Sequence, residues 1–328
     1  MFIWLGQRLL SSLLLVFLLV TVVFFVVRLA PGDPLDLVIC EGFRAEDREA
    51  ISRQHGLDRS LHEQYFRWVG ALARGDAGAS LTRHQDVSEI ISETLPVTIL
   101  LTSSAYALQL ILAIGAAIVM SIRRGTWIDG IIQTSGLFLY SVPAFWLGLI
   151  FIMFFSGFLG WLPTGGMHAV DAAFLSPAGR FGDLLLHMIL PVGTLALSMF
   201  MGTARYLRSS LDEVLQQDYI LAARARGVGP WRIMFRHALP NALLPLVTLM
   251  GLHLPFLLGG AVVVEVIFGW PGMGRVTVDA IGDRDYPVIM ITTLVASLAV
   301  VMGSLLADVF YMRVDPRIRL NSDGEHDA

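Results

Sequence analysis

Lysine is absent from this chain of 328 residues, and all 23 of its basic side chains are arginine. The absence removes a P-loop of the form GxxxxGK[ST], whose lysine reaches the terminal phosphates of a nucleotide, so no ordinary nucleotide site is encoded. Cysteine is nearly missing too. With Cys40 alone, neither an internal disulfide nor a cysteine-based metal cluster can form. The eight histidines are scattered without an HExxH pattern, which argues against a zinc or nickel site in this chain. Charge of either sign is scarce, at 15% of residues against about 25% in soluble domains. The net charge of −4 is too small to suggest a nucleic-acid partner.

What fills the space is apolar. Hydrophobic residues make up 55% of the chain and the mean hydropathy is +0.68, the profile of a protein dissolved in lipid. Residues 9–27 run for 19 positions without a charge, enough for one membrane crossing. A signal peptide is the alternative, but its apolar stretch usually spans about 7–15 residues and ends in a small-x-small site. This run leads instead into Arg28-Leu-Ala-Pro-Gly-Asp-Pro, so a retained anchor is expected. Five further uncharged runs cover residues 98–122, 131–161, 184–204, 238–264 and 286–307, giving six expected spans. Pro143 is expected to bend the third span or mark its start, and Pro240, Pro245 and Pro255 to kink the fifth.

Between the first two spans lies the one long hydrophilic region before the C-terminus. Residues 45–54 and 61–72 read as amphipathic surface helices, and Gly75-Asp-Ala-Gly78 as a turn. The region is too short and too broken for an independent enzyme, and reads as a cap on the membrane part. The expected organisation is an N-terminal span (1–29), an extracytoplasmic loop subdomain (30–97), a membrane core (98–312) with a cytoplasmic connection at 205–237, and a cytoplasmic tail (313–328). Twelve arginines support that orientation: Arg8, Arg123, Arg124, the six from Arg205 to Arg236, Arg313, Arg317 and Arg319 fall on one side. The opposite short loops carry Arg180, Arg275 and Arg284, with Trp161 and Trp270 expected at the outer interface.

One polar stretch interrupts the apolar second half, DYILAARARGVGPWRIMFRHALP at residues 218–240. Asp218 is expected to cap a short helix over residues 219–226, and Gly227 to end it in the left-handed conformation. Pro230 suits the first turn of a second helix. Ala222 and Ala223 would leave a shallow face flanked by Arg224 and Arg226, which fits another protein's groove. A basic loop that merely obeys the positive-inside rule remains the alternative from physics alone. Reading it as a DNA-binding helix–turn–helix is poor, since both ends are tied to the membrane.

This stretch resembles the EAA loop of ABC-importer permeases, with pattern EAA-x3-G-x9-I-x-L-P. Ala222, Ala223, Gly227 and Leu239-Pro240 match at the right spacing, while Leu221 and His237 replace the Glu and the Ile. Over nearly the whole chain the similarity narrows to the dipeptide/oligopeptide/nickel permeases. It rests on the Arg28-Leu-Ala-Pro-Gly-Asp-Pro segment, Gly56-Leu-Asp, Arg74-Gly-Asp, Ser141-Val-Pro-Ala-Phe-Trp-Leu-Gly and Gly160-Trp-Leu-Pro. Phe268-Gly-Trp-Pro-Gly-Met-Gly-Arg, Arg284-Asp-Tyr-Pro and Asp315-Pro-Arg-Ile-Arg complete it, whereas Gly303-Ser304 stands where the family often has an Asn, near Asp308.

The resemblance implies an all-α membrane protein of six transmembrane helices with the type I ABC importer permease fold, in a bacterial or archaeal inner membrane. It implies a homologous second permease subunit, two ATP-binding subunits that hold ATP and Mg, and an extracytoplasmic substrate-binding protein. Motion of the ATPases would push the 219–226 helix, and the kinked fifth span would open the pore outward. The substrate would be a dipeptide, oligopeptide, glutathione, nickel chelate or sugar. Glu265 is read as an interfacial carboxylate holding a nearby loop, with a peptide amino terminus or the outer gate as the alternative contact. Gly272, Met273 and Gly274 are read as a flexible outward loop touching the binding protein, or else a tight re-entrant turn. No catalytic residue is expected: the spans hold no paired acids or Ser/His set for an intramembrane enzyme. A self-sufficient channel or secondary transporter is the other rival, and its flux would not need ATP.

Overall fold

The computed structural model describes residues 2–29, 52–53, 58–244, 246 and 261–314. Outside them lie Pro31 to Pro34, Cys40, nearly all of the expected 45–54 helix, Pro245, Pro255, most of the fifth apolar run and the tail from Asp315. Asp308 lies in a described helix, but its side chain is outside what is described.

In chain order the helices are α1 (Phe2–Leu29), α2 (Leu61–Leu72), α3 (Val87–Ile122), α4 (Trp127–Ser141), α5 (Ala144–Phe151), α6 (Pro177–Val214) and α7 (Asp218–Ala225). There follow α8 (Pro230–Arg232), α9 (Leu239–Ala242), α10 (Val262–Ile267), α11 (Met273–Gly282) and α12 (Tyr286–Val314). Helix α5 runs on into a π-helical stretch, Ile152–Phe158, and a second π-helical turn, Ile233–Ala238, joins α8 to α9. Among the described residues the only extended pairing is an isolated bridge between Ala79 and Asp86.

Among the described residues four helices are long and apolar enough to cross a bilayer: Leu10–Leu29, Val87–Ile122, Pro177–Val214 and Tyr286–Leu306. The third apolar run is bent at Pro143, where the sequence places a bend or a start. Helix α4 and the stretch Ala144–Phe158 meet at 104°, and if they make one broken span the described residues hold five. The cause is local. Val142 ahead of the proline is extended (φ −79°, ψ 128°), as steric conflict with a following proline ring demands, and Pro143 takes the N-cap of α5.

The chain divides into two compact units. Residues 1–98 and 271–301 form the first; residues 99–270 and 302–328 form the second. In the first unit, Phe24 of α1 stacks on Trp68 of α2 at 5.6 Å and meets Tyr65 edge-on at 5.3 Å. These rings extend a core of Val87, Ile90, Val276, Ala280, Tyr286 and Val288 to Ile291. Helix α2 thus lies on apolar side chains as the amphipathic pattern at 61–72 predicts. The loop before α3 is tied to the start of α12. Ser80 Oγ (2.5 Å), Thr82 N (3.2 Å) and Thr82 Oγ1 (2.9 Å) all donate to Asp285 Oδ2, and Asp285 is buried.

In the second unit, α6 is the central element. Ser176 caps it, its Oγ accepting from Gly179 N at 3.2 Å, and Pro177 fills the first position. Helix α4 lies close against it. A Cβ added at Gly136 would stand 2.5 Å from Met201 Sδ, so a larger residue there would have to push the Met201 side chain aside. Helix α3 packs on α6 through Ala113, Met120, Phe200, Met201 and Ala204, with Gln109 Nε2 donating to Thr203 Oγ1 at 2.7 Å.

Candidate functional site

The segment after α6 is built as a short helix, a left-handed glycine and a second helical start. Helix α7 begins at Asp218 rather than after it. Gln217 holds the cap position without a side-chain bond, and Asp218 sits in the first turn, where its charge suits the exposed N–H groups. Gly227 has φ +79°, and the N–H groups of Gly227 and Val228 donate to the carbonyls of Arg224 (2.9 Å) and Ala223 (3.2 Å), closing the C-terminus. Pro230 is the first residue of α8, after Gly229.

Ala222 and Ala223 do not share a face. Ala223 is 3% exposed and, with Ile220, turns into the protein; Leu221, Ala222 and Ala225 face outward. The bare face is therefore made of Leu221, Ala222 and Ala225, flanked by exposed Arg224 and Arg226. A helix repeat of 3.6 residues puts adjacent positions about 100° apart, so one alanine of any such pair tends to be lost to the interior. Beneath α7, Ile220 joins Leu207 and Leu211 of α6, Ile233 and Met234 of the π turn, and Ala238, Ala242 and Leu246.

Tyr219 is locked from the far end of the segment. Asn241 Nδ2 donates to Tyr219 Oη and to the His237 carbonyl, both at 2.9 Å, and Tyr219 Oη donates to that carbonyl at 3.4 Å. Position 237 is thus used through its backbone, so a histidine serves there. Leu239 and exposed Pro240 open α9, and Pro240 lacks an N–H for the carbonyl a turn earlier, next to the widened turn at 233–238. Beside α7 runs a groove of about 540 Å³ lined by Ile122, Leu215, Arg224, Val228, Trp231 and Met234. Trp231 and Phe235 stack at 5.6 Å, and both are exposed.

One constellation lies outside the residues singled out from the sequence, where its arginine entered only as one of a count. Arg208 Nη1 and Nη2 on α6 donate to Asp129 Oδ1 (2.8 Å) and Oδ2 (2.9 Å) on α4. Gly125 N (3.0 Å) and Gln133 Nε2 (2.7 Å) fill the rest of that carboxylate, which is buried. Asp212 lies 3.4 Å from Arg124 and 4.0 Å from Arg208. The available clue was a lone acid next to an uncharged run, opposite an Arg208/Asp212 pair spaced i,i+4.

The remaining candidates fall elsewhere. Glu265 on α10 is 0% exposed, and its carbonyl accepts from Trp270 N at 2.8 Å. That turn carries Trp270 inward to full burial, so Trp270 is a core residue and not the interfacial aromatic expected; Trp161 is exposed. Gly272, Met273 and Gly274 are buried rather than a flexible outward loop. Gly272 caps α11, and Met273 N donates to Thr98 Oγ1 at 2.8 Å. Among the described residues no three His, Cys, Asp or Glu side chains are placed to hold a metal.

Comparison with known proteins identifies the family. Residues 109–320 match the family of the binding-protein-dependent transport system inner membrane component, and residues 1–102 match the N-terminal model for such membrane components. The chain belongs to this family. It is 43% identical to the oligopeptide transport system permease protein AppB of Bacillus subtilis, over 90% of this chain and 92% of that one. It is 38% identical to the di/tripeptide transport system permease protein DppB of Pseudomonas aeruginosa, again over 90% and 92%. In fold, the inward-facing MetNI methionine ABC transporter covers 68% of this chain and 97% of its own, with a TM-score of 0.50 and 16% identity. As a member of this family of membrane components, the protein is a multi-pass helical permease.

Proposed function

We propose that this permease forms half of the pore of an ATP-driven importer of di- and oligopeptides, paired with a homologous second permease. Two ATP-binding subunits supply ATP, Mg and hydrolysis, and a substrate-binding protein delivers peptide from outside. The fold in the membrane is the six-span type I arrangement, with both termini cytoplasmic and residues 30–97 forming an extracytoplasmic loop subdomain. Peptide cargo is supported by the printed functions of the two relatives. The coupling assignment is carried by one observation: α7 offers an outward face of Leu221, Ala222 and Ala225 while its other face is locked to α6 through Ile220, Leu207 and Leu211. A helix held on one side and bare on the other transmits a push without deforming. Asp218, Tyr219, Arg224, Arg226, Gly227 and Pro230 shape that knob, and Leu239 and Pro240 close it. No step of catalysis falls to this chain.

The test begins with the tagged chain, purified from its native membrane in mild detergent, with mass spectrometry of its companions. A homologous permease and P-loop ATPases are expected. Cells lacking the chain should lose uptake of a mixed set of radiolabelled di- to pentapeptides. A chain that emerges alone, yet passes solute through vesicles without ATP, would replace the importer with a channel.

A further inference from the structure

Near its C-terminal end, α6 uses two adjacent faces for two different neighbours. Leu207 and Leu211, one turn apart, are fully buried against the cluster that includes Ile220 of α7. Arg208 and Asp212, each one residue further on, face α4 and the 123–126 turn that precedes it. There Arg208 grips Asp129 with both terminal nitrogens at 2.8 and 2.9 Å, and Asp212 lies 3.4 Å from Arg124. The Asp129 carboxylate accepts four hydrogen bonds in all, from Arg208 twice, Gly125 and Gln133.

Two apolar helix faces would hold α4 to α6 as firmly as this pair does, because removing two charges from water offsets most of their attraction. What the two-pronged contact adds is direction. A guanidinium that meets both carboxylate oxygens fixes the separation and the relative rotation of the two backbones, whereas apolar side chains can slide. Helix α4 in turn leads straight to the 104° bend ahead of α5.

We propose that Asp129 and Arg208 are positioning residues for energy coupling: the pair passes a displacement of α7, received through Leu207 and Leu211, on to α4 and its bend. The proposal rests on the reading of α7 as the coupling helix. Neither residue touches α7's outward face, so loss of the pair leaves docking surfaces whole while cutting the route from α7 to α4.

The experiment uses the whole importer, purified through a tag on this chain and reconstituted in liposomes with its binding protein. Uptake of the labelled peptide mixture and ATP hydrolysis are measured on the same samples. The main variant is the double Asp129→Asn/Arg208→Gln, which leaves no lone buried charge; Arg208→Lys keeps the charge without the fork. The double variant is expected to assemble in normal amount and to hydrolyse ATP near the unaltered rate, with uptake per ATP lowered about tenfold. Arg208→Lys should fall between the two. An unchanged ratio in the double variant would overturn the proposal. So would uptake and hydrolysis falling together with the yield of complex, since the pair would then only hold the fold. Gly227→Arg, run in parallel, separates the two ideas. If it loses coupling while the double variant keeps it, the relay alone fails; if both keep it, α7 is not the coupling helix.

Discussion

Ala222 and Ala223 show how much one residue step changes a test of function. Placing arginine at buried Ala223 overfills a packed site, at a cost of about 1–3 kcal/mol before any charge penalty, and would damage folding as well as coupling. Ala222 is exposed, so Ala222→Arg should leave membrane insertion and chain yield intact while uptake in cells falls sharply. Undiminished uptake would mean that α7 meets no partner. At Gly227 the positive φ sets the cost. Gly227→Ala meets open space and bears only strain of about 1–2 kcal/mol, so it should express well and lower thermal stability slightly in a detergent melt. Glu265→Gln keeps the shape of a fully buried side chain, and uptake should change only mildly. Complete loss of uptake with normal assembly would move Glu265 onto the substrate path.

At the scale of elements, the tie between the 79–86 loop and α12 is a single carboxylate oxygen with three donors. Replacing Asp285 by Asn removes the charged acceptor and should loosen that loop by about 1–3 kcal/mol. Hydrogen exchange of the 79–86 amides should then speed up, while that of α6 stays as it was. Equal exchange in both chains would mean that the hydrophobic cluster around Val87 and Tyr286 holds the loop unaided. The break at Ser141-Val142-Pro143 is the other decisive element. Pro143 is where the sequence places a bend, and the backbone turns there by 104°, an angle that the uncharged run on either side does not specify.

For the molecule as a whole, the expected assembly sets the clearest prediction. Mass measurement of the intact complex should find this chain with one homologous permease and two ATP-binding subunits. ATP hydrolysis should vanish when this chain is purified alone, because it contains no lysine for a P-loop. Activity in the isolated chain would contradict that division of labour.

The residue order alone determined the membrane class, the short helix and glycine turn at 218–230, and the family. These follow from run lengths, from the conformations that glycine and proline permit, and from motif spacing, all of which are local. The tertiary structure decided the rest. It chose which alanine of the pair faces outward, drew Trp270, Met273 and Glu265 inside, and joined Asp129 to Arg208 across 79 residues of chain. Each depends on what lies opposite in space: burial and pairing are properties of two surfaces, and a single stretch of sequence specifies only one of them.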